Sequence, residues 1–320
     1  MTGRAFFLAV LALLALTILA GRAAVALHEF GGHALPARAA GASKVTVRLS
    51  ALGGGYVRPE FPPGRRPSPT ATAVFKLGGI ALNLLTGALA WFAARRLRGR
   101  GLPYLGLLAF GFGSVAGGLV YLTNGFYYGS GDPLGFAPVS LDLSRAQWVW
   151  VFFVPAAAGA AWLAARHYLD FLAGHARLDS ARARLGWTVA TAGLVTLAYG
   201  GLWHLLSDPA LEGTTSEWRL QREIAKETER RAAAAPVPAP ARNAPRPPPP
   251  VPVAVRPEEV RHRVPPPVGP LALLVASVVA SVGALLRAKP TGEPARLAAL
   301  PVLALAVAAA AAVTTFRYLG

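Results

Sequence analysis

The chain has 320 residues, 54% of them hydrophobic and 15% charged, with a mean hydropathy of +0.44, a composition of the membrane class and not of the globular one. It contains no cysteine, which excludes disulfides, thiolate metal sites and cysteine nucleophiles. The net charge of +17 lies in the polar stretches, where it sets topology and meets anionic lipid headgroups; no basic soluble surface is evident, so nucleic acid is not an expected partner.

Seven apolar segments come close to the roughly 20 residues that cross a bilayer core. They lie at about 5–27, 72–94, 102–124, 146–165, 186–205, 268–287 and 296–315, and they predict an all-α polytopic membrane protein. The first has signal-peptide features up to Ala20, but its apolar pattern continues through residues 23–27 straight into His28 and Glu29. Cleavage would cut that helix in two, so an uncleaved span is expected. Between the first two spans, Val45, Val47 and Leu49 alternate with polar neighbours, Gly53-Gly54-Gly55 offers a turn, and Tyr56-Val57 follow. This pattern predicts a short membrane-associated β-hairpin over about 43–58, then a Pro-rich loop over 61–69. Trp148 and Trp150 open the fourth span as interface anchors.

The longest polar stretch is 206–267. Thr214 and Glu217 have capping-box spacing and would open a charged helix over about 218–234. The Ala/Pro-rich sequence after it, including Arg246-Pro247-Pro248-Pro249-Pro250, cannot bury a core and predicts an extended linker. A protein partner for 214–267 is the one interaction this stretch suggests.

The chemistry concentrates in His28-Glu29-Phe30-Gly31-Gly32-His33. Ionisable side chains at the end of an apolar helix are costly there and mark function. Two imidazoles suit zinc, and a neighbouring carboxylate can serve as base toward a metal-activated water. In an HExxH motif the ligands at i and i+4 stand about 40° apart on the helix. Here the spacing is five, which on a regular α-helix turns the rings about 140° apart. A π-bulge at Gly31-Gly32 would return both to one face. A catalytic zinc needs a third protein ligand, and Asp132, after the third span, is the available carboxylate. The first and third spans cross in the same direction, so His28, Glu29, His33 and Asp132 all fall on one membrane face.

With these residues in place, the chain resembles the site-2 protease family of intramembrane zinc metallopeptidases. His28-Glu29-Phe30-Gly31-Gly32-His33 is similar to the family's HExxH with one residue inserted, and a β-rich hairpin follows it. Gly78-Gly79-Ile80-Ala81-Leu82-Asn83 is similar to the glycine-and-asparagine element, with Ile80 where proline is usual. Asn124 and Asp132 keep the separation of an NxxPxxxxDG element, although Tyr127 replaces its proline and Pro133 its final glycine. The resemblance implies that His28, His33 and Asp132 hold one zinc ion and that Glu29 shuttles the proton of the attacking water. It implies that Asn83 and Asn124 hydrogen-bond the substrate backbone or stabilise the oxyanion. Asn83 has an equal alternative as a helix–helix hydrogen bond inside the bilayer. Residues 1–145 would form the metallopeptidase-like core, 146–205 two further spans, 206–267 the charged helix and linker, and 268–320 two C-terminal spans.

The expected activity is zinc endoproteolysis of a membrane-associated protein in a bacterial cytoplasmic (inner) membrane, with the site facing the cytoplasm. Every motif departs from the family pattern, so a catalytically inactive scaffold or regulator of the same fold is the alternative. A transporter using His28, Glu29 and Asp132 for protons or cations is the third reading. Ordinary surface or interface roles are expected for His167 and His175 in a polar loop helix, for His204 and for His262. Arg22 is expected to snorkel or pair with a carboxylate.

Overall fold

The computed structural model describes residues 2–97, 101–128, 132, 144–173, 176–206, 215–234, 255–288 and 297–319. Helix α1 (Gly3–Ala26) starts at Thr2, whose hydroxyl accepts the Ala5 N–H, and runs without interruption through a π-helical segment (Leu27–Ala34) into α2 (Leu35–Ala39). Strands β1 (Lys44–Leu49) and β2 (Gly55–Glu60) follow, antiparallel, with Val47 opposite Val57. The second strand runs past the expected end of the hairpin, because Pro59 sits at a free edge where no ladder N–H is required. Ser68 caps α3 (Pro69–Arg95), and α4 (Leu102–Tyr128) returns beside it. Next come α5 (Arg145–Trp148), a second π-helical segment (Val149–Phe153) and α6 (Val154–Ala173) in one rod. The remaining helices are α7 (Ala181–Leu206), α8 (Thr215–Ala234), α9 (Pro257–Arg261), α10 (Val268–Arg287) and α11 (Ala299–Leu319).

Among the described residues, seven helical stretches are long and apolar enough to cross a membrane: Gly3–Ala39, Pro69–Arg95, Leu102–Tyr128, Val149–Ala173, Ala181–Leu206, Val268–Arg287 and Ala299–Phe316. The fourth extends to Ala173, eight residues past the expected 165. That extension moves His167 out of the expected loop and into the bundle, where it is buried against Trp91, whose indole N–H donates to its Nε2, and Tyr104. His175, Thr214 and the proline run lie outside the described residues. The end of the expected linker is folded: α9 docks on α8 through Arg231 to Glu259 and Arg263 to Glu227. Glu227 receives Arg230, Arg231 and Arg263 together, and these guanidinium hydrogen bonds hold its carboxyl down to about 2.

Helix α1 is the axis of the bundle, packing against α4, α7 and α11. Its inward positions include Ala9, Ala12 and Ala15, small residues that let neighbouring backbones approach closely. The outer faces are apolar: Leu197, Leu205 and Leu300 are 74%, 77% and 79% exposed, surfaces suited to acyl chains and not to water. The turn between the strands sinks into the bundle, with Leu52 buried against Ala15, Ile18 and Ala309. Arg22 holds it there, donating to the carbonyls of Ser50 (2.8 Å), Leu52 and Gly53, while Tyr199 donates to Leu52 O (2.9 Å). Arg22 thus does not snorkel to the surface; its buried guanidinium donates to the backbone oxygens of the turn.

Helix α3 crosses the first π-helical segment backbone to backbone. A Cβ on Gly32 would overlap Gly79 Cα, and one on Gly78 would overlap Gly32 O. We therefore predict that Gly32→Ala destabilises the detergent-solubilised protein by about 1–3 kcal/mol, the cost of overpacking. Gly186→Ala, on α7 with open space at the same position, should be neutral or gain up to about 1 kcal/mol from helix propensity. Paired thermal melts check this, and equal losses at the two sites would contradict it.

Candidate metal centre

The five-residue spacing of His28 and His33 is resolved by the backbone. Residues 27–34 are wound as a π-helix, with the N–H of Leu35 bonded to Phe30 O, five residues back. The two rings then face each other, centroids 4.8 Å apart and Nε2 atoms 3.1 Å apart. The distortion spans eight residues, beyond a single-turn bulge.

The proline that follows the segment explains it. Proline at position 36 has no N–H to give Gly32 O, and its ring opposes that carbonyl, so the turn before it widens. The second π-helical segment behaves the same way: it ends at Phe153 and is followed by Val154-Pro155, as the first is followed by Leu35-Pro36. Glycine is not common to both cases. Gly31-Gly32, expected to permit the distortion, has a different duty at Gly32, where only a bare backbone fits against Gly78 and Gly79.

Asp132 closes the cluster from beyond α4. Its Oδ2 is 3.2 Å from His33 Nε2 and 3.8 Å from His28 Nε2. The Tyr121 hydroxyl donates to the same oxygen at 3.0 Å, and its ring stands edge-on to His28. Asp132 supplies the carboxylate that a cation site needs. Its neighbours Gly129, Ser130, Gly131 and Pro133 lie outside the described residues.

The remaining groups divide clearly. Glu29 is 5% exposed on the same π-helical segment, its Cγ 3.0 Å from where a Cβ on Gly55 would lie, so β2 packs directly on it. His33, 4% exposed, meets the Phe75 carbonyl through Nδ1. Asn83 is brought to the cluster, its amide nitrogen 3.2 Å from His28 Nδ1, so it makes a contact between helices within the apolar bundle. Asn124 lies half-buried on α4 and makes no hydrogen bond to these residues among those described. Tyr121 and the Phe75 carbonyl were not read from the sequence. Tyr121 could have been found as a polar-tipped residue on α4 three positions before Asn124, whereas a backbone carbonyl leaves no signal.

His28, His33 and Asp132 can hold a metal ion. Tetrahedral zinc with nitrogen and oxygen ligands at about 2.0–2.2 Å separates its donors by about 3.3–3.6 Å. The three edges here, 3.1, 3.2 and 3.8 Å, bracket that range. Two imidazoles and one carboxylate also leave a fourth position open. A scan against protein-family models and searches of curated proteins and of solved structures find no match for this chain.

If Pro36 sets the ligand geometry, Pro36→Ala restores a donor to Gly32 O and relaxes the segment toward the α pitch, swinging the two rings apart. The affinity for a divalent metal, measured by chelator competition, should fall at least about tenfold, the scale of a lost ligand-orienting contact. Pro155→Ala, at the equivalent point of the other π-helical segment, should leave it unchanged.

Proposed function

We propose that this chain is an integral membrane zinc metalloendopeptidase of the site-2 protease type, cleaving a membrane-associated protein. The observation that carries this reading is the convergence of His28, His33 and Asp132 on one point, with Glu29 beside them, at the end of an apolar helix long enough to span a bilayer. A bound zinc would supply Lewis acidity and lower the pKa of a water in the open position. Glu29 accepts that proton as the scissile carbonyl is attacked and returns it to the leaving amine. Its burial beneath β2 keeps bulk water from competing.

The hairpin supports the same reading. Each strand has one partner among the described residues, so an edge is free to take an extended substrate segment by strand addition. A helical substrate has its amides paired internally and must unwind to be cut, which such an edge favours. Asn124, whose side chain has no hydrogen bond among the described residues, is the amide left to bond a substrate backbone. The exposed apolar faces of α7, α10 and α11 support placement in a bilayer.

Metal analysis of the freshly purified protein in detergent tests this. Near-stoichiometric zinc is expected in the wild type and in Glu29→Gln, and loss of it in His33→Ala and Asp132→Ala. Proteolysis should fall by at least about a hundredfold in Glu29→Gln, given that a positioned general base contributes about 10²–10⁴-fold. A folded wild type without metal would sink the peptidase reading and leave a scaffold or transporter.

A further inference from the structure

The Asn83 side chain presents a mismatch. Its amide nitrogen points at His28 Nδ1, 3.2 Å away, while its Oδ1 is buried with no hydrogen bond among the described residues. Buried amide oxygens are rarely left so, because nothing replaces the water they lose. A half-turn of a primary amide exchanges its oxygen and nitrogen in nearly the same volume. That turn places Oδ1 against His28, where it accepts a bond if His28 carries its proton on Nδ1, and moves the amide nitrogen to the place Oδ1 leaves.

Ligation of an ion decides which arrangement applies. The Nδ1 of His33 faces the carbonyl of Phe75, which can only accept, so Nδ1 is the N–H, and in the neutral ring Nε2 is bare. His28 Nε2 stands 3.1 Å from that bare nitrogen and 3.8 Å from the Asp132 carboxylate. Were His28 protonated on Nε2, its hydrogen would occupy the point on which the three donors converge. Protonated on Nδ1, it presents a second lone pair there, and Asn83 Oδ1 gains its donor.

We propose that Asn83 is a positioning residue for the metal centre: its Oδ1 accepts the Nδ1–H of His28 and so fixes the tautomer that turns Nε2 toward the ion, as the Phe75 carbonyl does for His33. This rests on the metallopeptidase reading and gives Asn83 a role other than the substrate contact the family resemblance implies. It also explains why Gly79 has no side chain: a Cβ there would lie 2.5 Å from His28 Nε2, inside the ring that Asn83, one turn further along α3, holds in place. Outer-sphere acceptors of this kind orient ligating imidazoles and raise their basicity.

The test uses the full chain in detergent and the zinc dissociation constant from chelator competition. Asn83→Leu, close in shape but unable to accept, should weaken zinc about 10–100-fold. Asn83→Asp, which can only accept, should bind zinc within about threefold of wild type or more tightly. ¹⁵N-histidine spectra of the zinc-loaded wild type and Asn83→Asp should show His28 ligating through Nε2 with Nδ1 protonated. Unchanged affinity in Asn83→Leu overturns the proposal, as does equal weakening in both variants or a His28 ligated through Nδ1. If Asn83→Leu does not fold, the Asp variant and the wild-type spectrum decide. A wild type that binds no zinc overturns the peptidase reading itself, an outcome distinct from wild-type binding that Asn83→Leu leaves intact.

Discussion

The centre depends on two imidazoles five residues apart facing the same way, which a regular α-helix forbids. Widening the helix costs good hydrogen-bond geometry, and the chain distributes that cost over several contacts. Pro36 removes the donor that would restore the α pitch, and Gly32 lets α3 press its own Gly78 and Gly79 against the widened turn. The same close approach carries Phe75 and Asn83 to the outer nitrogens of the two rings. Helix pitch, helix crossing and ligand orientation are therefore one constraint satisfied once. No one of the three can shift without moving the others.

Several buried polar groups of the apolar bundle have partners of fixed geometry. Arg22 spends its guanidinium on the carbonyls of the hairpin turn. Arg184, on α7, takes the Leu285 and Leu286 carbonyls at the end of α10. His167 sits between Trp91 and Tyr104. In a low-dielectric interior these bonds replace those that water would give, and each locks one element to another. The His28, His33 and Asp132 cluster differs, because there two ring nitrogens and a carboxylate oxygen converge on one point.

Much of this was readable in the sequence, for reasons specific to each part. The seven spans follow from runs of Leu, Ala and Val long enough to cross a bilayer, although the fourth ends later because Arg166, His167 and Asp170 resemble a loop until their neighbours are known. The hairpin follows from the alternation of Val45, Val47 and Leu49. His28, Glu29, His33 and Asp132 could be grouped because charge is scarce in apolar helices and because odd-numbered spans end on one face. The need for a π-turn and its place at Gly31-Gly32 were also readable, since both lie within the π-helical segment, but its cause lies better in Pro36, because Pro155 follows the other π-helical segment in the same register. What was not readable is contact between elements distant in the chain. Nothing local says that Tyr121 meets Asp132, that the Phe75 carbonyl meets His33, or that Arg22 spans 28 residues to Ser50.

On the proposed function, the hairpin is joined mechanically to the base. Its turn is fastened to α1 by Arg22, and Gly55, the first residue of β2, rests against Glu29. A side chain at Gly55 would meet both Glu29 and the Arg48 carbonyl across the strand pair, so the glycine sets how closely the sheet can approach the catalytic carboxylate. A substrate strand added to the free edge of this hairpin would inherit that spacing. Its scissile bond would be placed relative to Glu29 by ladder register, in steps of about 3.3 Å per residue, and not by a pocket for one particular side chain. On that function, selection would rest on a substrate's capacity to unwind and present an extended segment at the right depth.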